Sequence, residues 1–407
     1  MSLPLLDAPS YTTSSKPQGS AKLPAEAYVL SIASLPSFYA AAASSPSNQI
    51  HLFDKERLRN VQTLPGHADS ITTLRSVPNV ANAATHALLS SGKDGTVHVW
   101  DERAGTAALR LTVSTAGSAR ALLSCDVSAD GMTIAAGTEL HGEDAAILYW
   151  DPRSPAAPLR THSSTHSDDI TAVHFYRLAA SSALNNGNTL LSVSTDGLVC
   201  TSNANETDED EAGIHVANWG CSIAQAGWLH DRAGRPGIWA SSDMETFSVW
   251  NRELDPVQGV DIRQPSVHRQ DLTWVTDYLI GCHTTANPPA EADNDLCVFV
   301  GSNEGDVALI TRPTFADPGA QWVLQRTWTT GHVGVVRAVL WDEGVYSLLI
   351  FANNILLTGG EDSELHVWNA PAQTPEVTSP GKSQRVDDVD PMDIDEEADS
   401  NRKKRRA

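Results

Sequence analysis

The sequence predicts an all-β fold, a single seven-bladed β-propeller with disordered N- and C-terminal tails. The first observation is a recurring unit, in which an apolar run and a Ser- or Thr-rich turn precede an alternating run ending in Trp-Asp or Trp-Asn. The second is that short alternating runs separated by turn residues indicate antiparallel strands. The third is that the sequence has no long helical stripe. We therefore divide the chain into an N-terminal segment (1–24), a propeller (25–372) and a disordered tail (373–407).

Two copies of the unit are especially clear. In the first, Gly66-His67 leads to Asp94-Gly95 and then to Trp100-Asp101. In the last, Gly331-His332 leads to Trp368-Asn369. Weaker copies end near Phe53-Asp54, Trp150-Asp151, Ser202-Asn203, Trp250-Asn251 and Ile310-Thr311. These positions give about seven units of roughly 45–60 residues each, and hence a ring of seven blades.

These motifs resemble the WD-repeat (WD40) family, whose blades are held by a hydrogen-bonded tetrad of His, Ser or Thr, Asp and Trp. By motif position, the resemblance implies one tetrad in each clear copy. The residues are His67, Ser90, Asp94 and Trp100 in the first copy, and His332, Thr358, Asp362 and Trp368 in the last. These polar groups can satisfy one another when buried, so we interpret them as structural.

The middle copies depart from this pattern. His166, Ser192 and Asp196 fit a tetrad, but Ser202 stands where Trp is expected. The copy that ends at Trp250 has no Gly-His before it. We therefore expect incomplete tetrads in the middle of the ring.

A narrower resemblance covers nearly the whole chain and rests on six strings in a fixed order. They are Asp54-Lys55-Glu56-Arg57-Leu58, Ala136-Gly137-Thr138-Glu139, Thr165-His166-Ser167-Asp168-Asp169, Ser194-Thr195-Asp196-Gly197-Leu198-Val199, Asp277-Tyr278-Leu279-Ile280-Gly281 and Leu356-Leu357-Thr358-Gly359-Gly360-Glu361-Asp362. Together with a basic C-terminus, they resemble the WD repeat-containing protein 89 family. The resemblance implies a nuclear propeller and no defined activity.

Composition limits the kinds of partner. A net charge of −22 and a pI near 4.9 argue against direct binding to nucleic acid or to an anionic membrane, and favour basic proteins as partners. The five cysteines are widely spaced without a Cys-x-x-Cys pair, so we expect reduced, mostly buried thiols. No apolar run reaches the ~20 residues that span a bilayer. We expect a soluble intracellular monomer without a cofactor or a metal.

The tail after residue 372 carries an acidic run and then Arg402, Lys403, Lys404, Arg405 and Arg406. The basic residues fit a nuclear localisation signal bound by importin, with a merely solubilising terminus as the alternative. We therefore expect the protein in the nucleus, with the cytoplasm as a second location. The acidic run either binds histones or ribosomal proteins, shields the basic signal, or is simply solvated.

A second acidic cluster, residues 206–211, is expected to form an exposed loop. To close the ring, the last blade needs an outer strand from elsewhere in the chain. The N-terminal segment is one source, because the stretch around Tyr11-Thr12-Thr13 has β propensity. Residues just after Pro371 are the competing source.

No catalytic motif was found, whether a phosphate-binding loop, a nucleophile elbow or a metal-ligand cluster. The leading interpretation is a non-enzymatic nuclear scaffold for protein–protein interactions. The alternative is a substrate receptor for a cullin-type ubiquitin ligase, because Arg103 and Arg153 follow Trp-Asp in adjacent copies and resemble the arginines that meet the ligase adaptor. The plain explanation is that each Arg pairs with a neighbouring acid. A hydrolytic propeller is a third, weaker alternative, and would need titratable residues converging in one pocket.

Overall fold

The computed structural model describes residues 3–81, 84–113, 120–177, 188–285, 293–317, 319–343 and 354–370. These residues form seven β-sheets and one short helix. The all-β, seven-bladed prediction is therefore confirmed. Among the described residues, no helix has the length and apolar character needed to cross a bilayer.

The strands follow one another blade by blade. The N-terminal segment contains β1 (Leu3–Ser14) and β2 (Gly19–Lys22). Blade 1 contains β3 (Val29–Ser34), β4 (Phe38–Ala43), β5 (Ile50–Asp54) and β6 (Asn60–Leu64). Blade 2 contains β7 (Ile71–Val80), β8 (Ala84–Gly92), β9 (Thr96–Asp101) and β10 (Ala107–Thr112). Blade 3 contains β11 (Leu122–Val127), β12 (Ile134–Thr138), β13 (Ile147–Trp150) and β14 (Arg160–His162).

The remaining blades repeat this arrangement. Blade 4 contains β15 (Ala172–Phe175), β16 (Thr189–Val193), β17 (Leu198–Asn203), the helix α1 (Glu209–Ala212) and β18 (Gly213–Asn218). Blade 5 contains β19 (Ile223–His230), β20 (Pro236–Ser242), β21 (Thr246–Asn251) and β22 (Pro256–Asp261). A hairpin of β23 (Pro265–His268) and β24 (Thr273–Val275) precedes blade 6, which contains β25 (Tyr278–Thr284), β26 (Leu296–Gly301), β27 (Val307–Thr311) and β28 (Trp322–Trp328). Blade 7 contains β29 (Val336–Asp342), β30 (Asn354–Gly360) and β31 (Glu364–Ala370).

The first strands of the blades form the inner wall of a closed ring. Each contacts the first strand of the next blade, from β3 through β7, β11, β15, β19, β25 and β29, and β29 contacts β3 again. The second and third strands are buried on both faces, as in β5, whose residues Ile50–Phe53 are all buried. The outer strands alternate between exposed and covered residues, as in β18. Apolar clusters fill the spaces between neighbouring blades, which is where the core lies.

The N-terminal segment supplies the outer strand of blade 7. The strand β2 pairs antiparallel with β31, with Gly19 opposite Val367 and Lys22 opposite Glu364. The stretch around Tyr11–Thr13 lies instead in β1, which runs parallel to β28 and adds a further strand to blade 6. Where a disordered N-terminal tail was expected, the described residues from Leu3 onward thus form two strands. The strands β1 and β2 are ordered by pairing with the edges of blades 6 and 7, which are distant in sequence. The composition of the N-terminal segment alone does not predict this pairing.

Candidate interaction surfaces and blade tetrads

The turns of the propeller meet on two faces. Because neighbouring strands in a blade are antiparallel, the turns between second and third strands lie on the same side as the connections between blades. We call this side the upper face; in blade 2 it includes residues 65–70 and 93–95. The lower face carries the other turns, such as residues 102–106 in blade 2 and 151–159 in blade 3.

In blade 2 the structure brings together the four residues that the sequence singled out. His67 Nδ1 lies 3.0 Å from Asp94 Oδ1, and His67 Nε2 lies 2.8 Å from Ser90 Oγ. The Trp100 indole N–H donates to the same Ser90 Oγ at 2.9 Å. Asp94 also accepts the Ala68 backbone N–H at 2.9 Å. The network ties two upper-face turns to the blade interior, and its position inside one blade suits a structural role.

The same network recurs in blade 7. His332 Nδ1 lies 3.0 Å from Asp362 Oδ2, His332 Nε2 lies 2.8 Å from Thr358 Oγ1, and the Trp368 indole donates to Thr358 Oγ1 at 3.0 Å. Asp362 accepts the Val333 backbone N–H at 3.0 Å. Two separate stretches of sequence, about 270 residues apart in a repeat architecture, therefore fold to one geometry.

His332, Asp362 and His366 also form a group whose ligand atoms lie within 4.8 Å of one another, as a metal site would need. Each imidazole nitrogen already has a protein partner, however. His366 Nε2 lies 3.0 Å from the Gly331 carbonyl and Nδ1 lies 2.8 Å from Ser20 Oγ. The His332–His366 pair, whose ring centroids lie 4.3 Å apart, also has a counterpart in the stacked His67–His98 pair of blade 2. Hydrogen bonding within the blade accounts for this group without a metal ion.

The tetrads shift the pKa values of their carboxyl groups. Burial raises the pKa of Asp94, but hydrogen bonds involving His67, Thr96 and the Ala68 N–H outweigh burial and hold the pKa well below its usual range. The same balance lowers the pKa of Asp362 to about 2. Burial lowers the pKa of His98, which stacks on His67, to about 4.

Blade 4 lacks the tryptophan and is completed by its neighbour. His166 Nε2 lies 2.9 Å from Ser192 Oγ, and His166 Nδ1 lies 3.3 Å from Asp196 Oδ2. Ser202 occupies the tryptophan position and is buried. The ring of Tyr149, from blade 3, is fully buried among residues of blade 4. An aromatic residue from the adjacent blade thus fills the interface that a tryptophan would otherwise fill.

Blade 3 keeps the tryptophan and lacks its acceptor. Trp150 is opposite Ile134, as Trp100 is opposite Leu88, so Ala136 stands where blade 2 has its serine. The Trp150 indole N–H is buried and has no hydrogen-bond partner among the described residues. The tetrad of this blade is reduced to apolar packing.

Seven further tryptophans lie outside the tetrad positions, and the sequence favoured core packing for each. The structure buries Trp239, Trp274, Trp322, Trp328 and Trp341. Trp219 and Trp228 are half-buried; Trp219 packs edge-on against Trp250 at 5.2 Å. None of the seven stands out as an exposed contact residue.

Arg103 and Arg153 occupy equivalent lower-face turns in blades 2 and 3. The Arg103 backbone N–H and Nε donate to Asp101 at 2.9 and 3.2 Å, and its side chain is 78% exposed. Arg153 donates to Asp151 from its backbone N–H at 2.9 Å and from Nη2 at 2.6 Å, with 66% of its side chain exposed. Arg263 makes the same closed turn on Asp261, without a preceding Trp-Asp. The Asp-x-Arg sequence therefore forms a local turn and leaves each guanidinium accessible.

A channel of about 450 Å³ runs through the ring and is lined by the first strands of all seven blades. Its titratable lining residues are Arg75, His174, Cys282 and Arg337. Arg75 Nη1 lies 3.1 Å from His174 Nδ1, and burial and the Arg75 charge lower the pKa of His174 to about 3. The nearby carboxylate of Asp126 is fully buried and paired with Arg177. The channel wall therefore offers no exposed carboxylate to work with this histidine.

The two faces differ in charge. Outside the tetrads, the acidic residues of the described upper-face turns and connections are Glu26, Asp69, Glu139, Glu143, Asp144, Asp168, Asp169, Asp243, Glu245, Asp271, Asp277, Glu304, Asp306 and Glu361. The Lys and Arg residues of the same segments are Lys93, Arg120, Arg263 and Arg269. The described lower-face turns and connections contain sixteen acidic residues, but they also contain ten Lys and Arg residues, which are Lys55, Arg57, Arg59, Arg103, Arg153, Arg177, Arg232, Arg235, Arg252 and Arg312. The upper face is thus predominantly acidic and the lower face is mixed.

Comparison with known proteins agrees with this architecture. The family model described as "WD domain, G-beta repeat" matches residues 58–101. The WD repeat-containing protein GTS1 of Arabidopsis thaliana is 29% identical over 354 residues, covering 86% of this chain and 83% of the relative. The WD repeat-containing protein 89 homolog of Dictyostelium discoideum is 26% identical over 353 residues, covering 85% and 84% of the two chains. This chain is a WD-repeat protein. The similarity to WD-repeat proteins supports a role as a protein-interaction scaffold.

The fold of this WD-repeat protein also matches that of a computationally designed protein. The crystal structure of the computationally designed Ika8 protein aligns with a TM-score of 0.57 and 16% identity, covering 91% of this chain and 99% of the designed one. At that identity the likeness concerns the fold alone.

Proposed function

We propose that this WD-repeat protein is a non-enzymatic nuclear scaffold that holds basic proteins on its upper face. The observation that supports it is the difference in charge between the two faces. Acidic residues from turns of several blades surround one end of the channel, so their fields add over a wide surface. Such a surface accelerates encounter with cationic partners and selects against anionic ones.

The non-enzymatic part of the proposal rests on the channel. Catalysis by general acids and bases needs titratable groups that converge on a reacting atom. In the channel His174 is held neutral beside Arg75, and the nearest carboxylate is buried in an ion pair. The nuclear part rests on residues 402–406, which lie outside the described residues, as does the acidic run before them.

Charge reversal on one face tests the scaffold. Asp243 and Glu304 are exposed in upper-face turns of blades 5 and 6, and Glu56 and Glu253 are exposed in lower-face turns. Asp243→Lys/Glu304→Lys and Glu56→Lys/Glu253→Lys change the net charge equally. Binding of purified core histones, measured by fluorescence anisotropy near 0.15 M salt, should weaken about tenfold or more in the upper-face variant and about twofold or less in the other. Equal weakening would assign binding to net charge and not to the upper face.

Nuclear location has its own test. A fluorescently labelled full chain should accumulate in the nucleus, and deletion of residues 402–406 should spread it through the cell. An unchanged nuclear signal after deletion would remove the basic cluster from the proposal. Replacing the cluster with five alanines keeps the length and controls for the deletion itself.

A ubiquitin-ligase substrate receptor is the second candidate, supported by the two exposed arginines on one face of adjacent blades. Arg103→Ala/Arg153→Ala should abolish co-purification of a ligase adaptor and cullin. Arg263→Ala is the matched control, because Arg263 makes the same turn from the upper face. Adaptor capture that survives the double substitution, or capture that is absent from the unsubstituted chain, would eliminate this function.

A further inference from the structure

The outer strand of blade 4 is an unusually open sheet edge. The strand β18 spans six residues and has a partner on one side only, β17, among the described residues. It contains no Lys, Arg or Pro, and Ile214 and Val216 are 45% and 64% exposed. Exposed edges with apolar β-branched residues attract further strands, and proteins usually protect them.

Most of the other outer edges among the described residues carry such protection. The strand β14 has three residues, β10 carries the exposed Arg110, and β22 begins with Pro256. The blade 6 edge is covered by β1. Blade 1 offers the nearest parallel in β6, which has five residues and one exposed apolar side chain, Val61. The blade 4 edge is therefore the longest one without a charge, a proline or a covering strand.

An acidic segment is fixed at the start of this edge. Glu209 accepts the backbone N–H groups of Ser163, Ser164 and Thr165 at 2.7 to 3.0 Å, which anchors α1 to blade 3. Asp210 and Glu211 remain exposed directly before β18. Negative charge thus stands at one end of an apolar edge strand, and its position is set by the backbone contacts of Glu209.

Blade 6 demonstrates that the rim of this propeller accepts an added strand. The strand β1 runs parallel to β28 from Leu5 opposite Trp322 to Ser14 opposite Trp328. Leu5 is buried in the core, and Tyr11 Oη lies 3.0 Å from Thr327 Oγ1. Backbone pairing together with a few side-chain contacts is enough to hold a segment of mixed apolar and polar residues against a blade edge.

We propose that an extended segment of a basic partner docks on β18 as a fifth strand of blade 4. Its alternate apolar side chains would cover Ile214 and Val216, and its Lys or Arg residues would meet Asp210 and Glu211. This site lies on the rim and not on the upper face, but the class of partner rests on the proposed function. Backbone pairing supplies affinity and the acidic end sets the direction of the added strand.

Two synthetic peptides test the site and its direction. Each contains six residues of alternating threonine and valine, with three lysines at the C-terminus of one peptide and at the N-terminus of the other. An antiparallel strand places the C-terminal lysines against the acidic segment, and a parallel strand places the N-terminal ones there. One peptide should bind the full-length protein at least about fivefold more tightly than the other, and amide exchange of residues 213–218 should slow in its presence.

Val216→Lys should weaken binding of the tighter-binding peptide at least about tenfold. Val61→Lys, on the comparable edge of blade 1, should leave the affinity for that peptide unchanged. Asp210→Asn/Glu211→Gln should reduce both the affinity and its salt dependence. Failure of both peptides to bind, equal binding to Val216→Lys, or binding without slower exchange at 213–218 would overturn the proposal. Asp243→Lys/Glu304→Lys should leave peptide binding intact, so failure of the upper-face scaffold remains distinguishable from failure of this edge.

Discussion

Blades 2 and 3 are neighbours that bury a tryptophan at the same position for different physical reasons. In blade 2 the Trp100 indole is one member of a network that includes a serine, a histidine and an aspartate. In blade 3 the Trp150 ring is packed equally deeply, but Ala136 offers its indole no acceptor. The comparison separates the contribution of apolar packing from that of hydrogen bonding within one propeller.

The largest expected effect comes from removing the shared acceptor of blade 2. Ser90→Ala leaves His67 Nε2 and the Trp100 indole N–H buried without a partner, at a cost of about 3 kcal/mol in the free energy of unfolding. Thr358→Ala should act similarly in blade 7. Urea unfolding followed by tryptophan fluorescence measures both. Ser248→Ala, which removes one hydroxyl donor to the Gln258 carbonyl, is the control and should cost about 1 kcal/mol. A loss no larger than that of the control would mean that the network adds nothing beyond a single bond.

A smaller effect is expected from pH, which should lower the stability of the fold over two separate pH ranges, or windows. The lowered folded-state pKa of His98 means that the unfolded chain takes up its proton first, so stability falls as the pH drops from about 6.5 to about 4. The lowered pKa values of Asp94 and Asp362 stabilise the fold above the unfolded-state pKa, and this stabilisation is lost as the pH falls from about 4 to about 2.

Thermal unfolding midpoints between pH 7 and pH 2.5 should fall in both windows. His98→Gln should make the fall in the upper window shallower and leave the lower window unchanged, since it removes that titration and leaves the carboxylates. His174 and His283, whose pKa values burial lowers to about 3 and about 4, contribute to the rest of the upper window. An unchanged profile above pH 4 in this variant would show that His98 does not set the upper window. The corresponding position of blade 3 is Leu148, which does not titrate.

The smallest expected effect comes from restoring the missing hydroxyl group in the tetrad of blade 3. Ala136→Ser places a hydroxyl at the position that accepts the indole N–H in blade 2, and should raise the free energy of unfolding by about 1 kcal/mol. Ala135→Ser is the control, because Ala135 faces the apolar interface with blade 4 and a hydroxyl there should destabilise. Destabilisation by both substitutions would mean that the packing around Ala136 leaves no room for a hydroxyl group.

Much of the fold could be predicted because the motif residues of each repeat lie in one contiguous stretch of sequence. His67, Asp94 and Trp100 belong to one blade, so their spacing is visible in a single copy. The substitution of Tyr149 for a tryptophan in blade 4 was not predictable in this way, since the residue that compensates belongs to another copy. The same holds for β1 and β2, whose partners lie more than 260 residues away.

The candidate surfaces were the least predictable part. The acidic upper face collects residues from turns dispersed along the whole chain, and only the closed ring brings them to one side. The two Trp-Asp-x-Arg motifs were visible as sequence, but the accessibility of each arginine depends on a turn in which it folds back on the aspartate two residues before it. The open edge of blade 4 became apparent only by comparison with the protected edges of the other blades.

The strand β2 gives the ring a particular order of assembly. Its partner β31 is the last strand of the propeller to leave the ribosome, whereas β2 is made before the strands of blades 1 to 6. The strand β2 must therefore wait, unpaired, until all the other strands of the ring have been synthesised. Blades 1 to 5 are complete from their own contiguous sequence, but the seam at blade 7 closes only after β31 has left the ribosome, when the nascent protein becomes a ring.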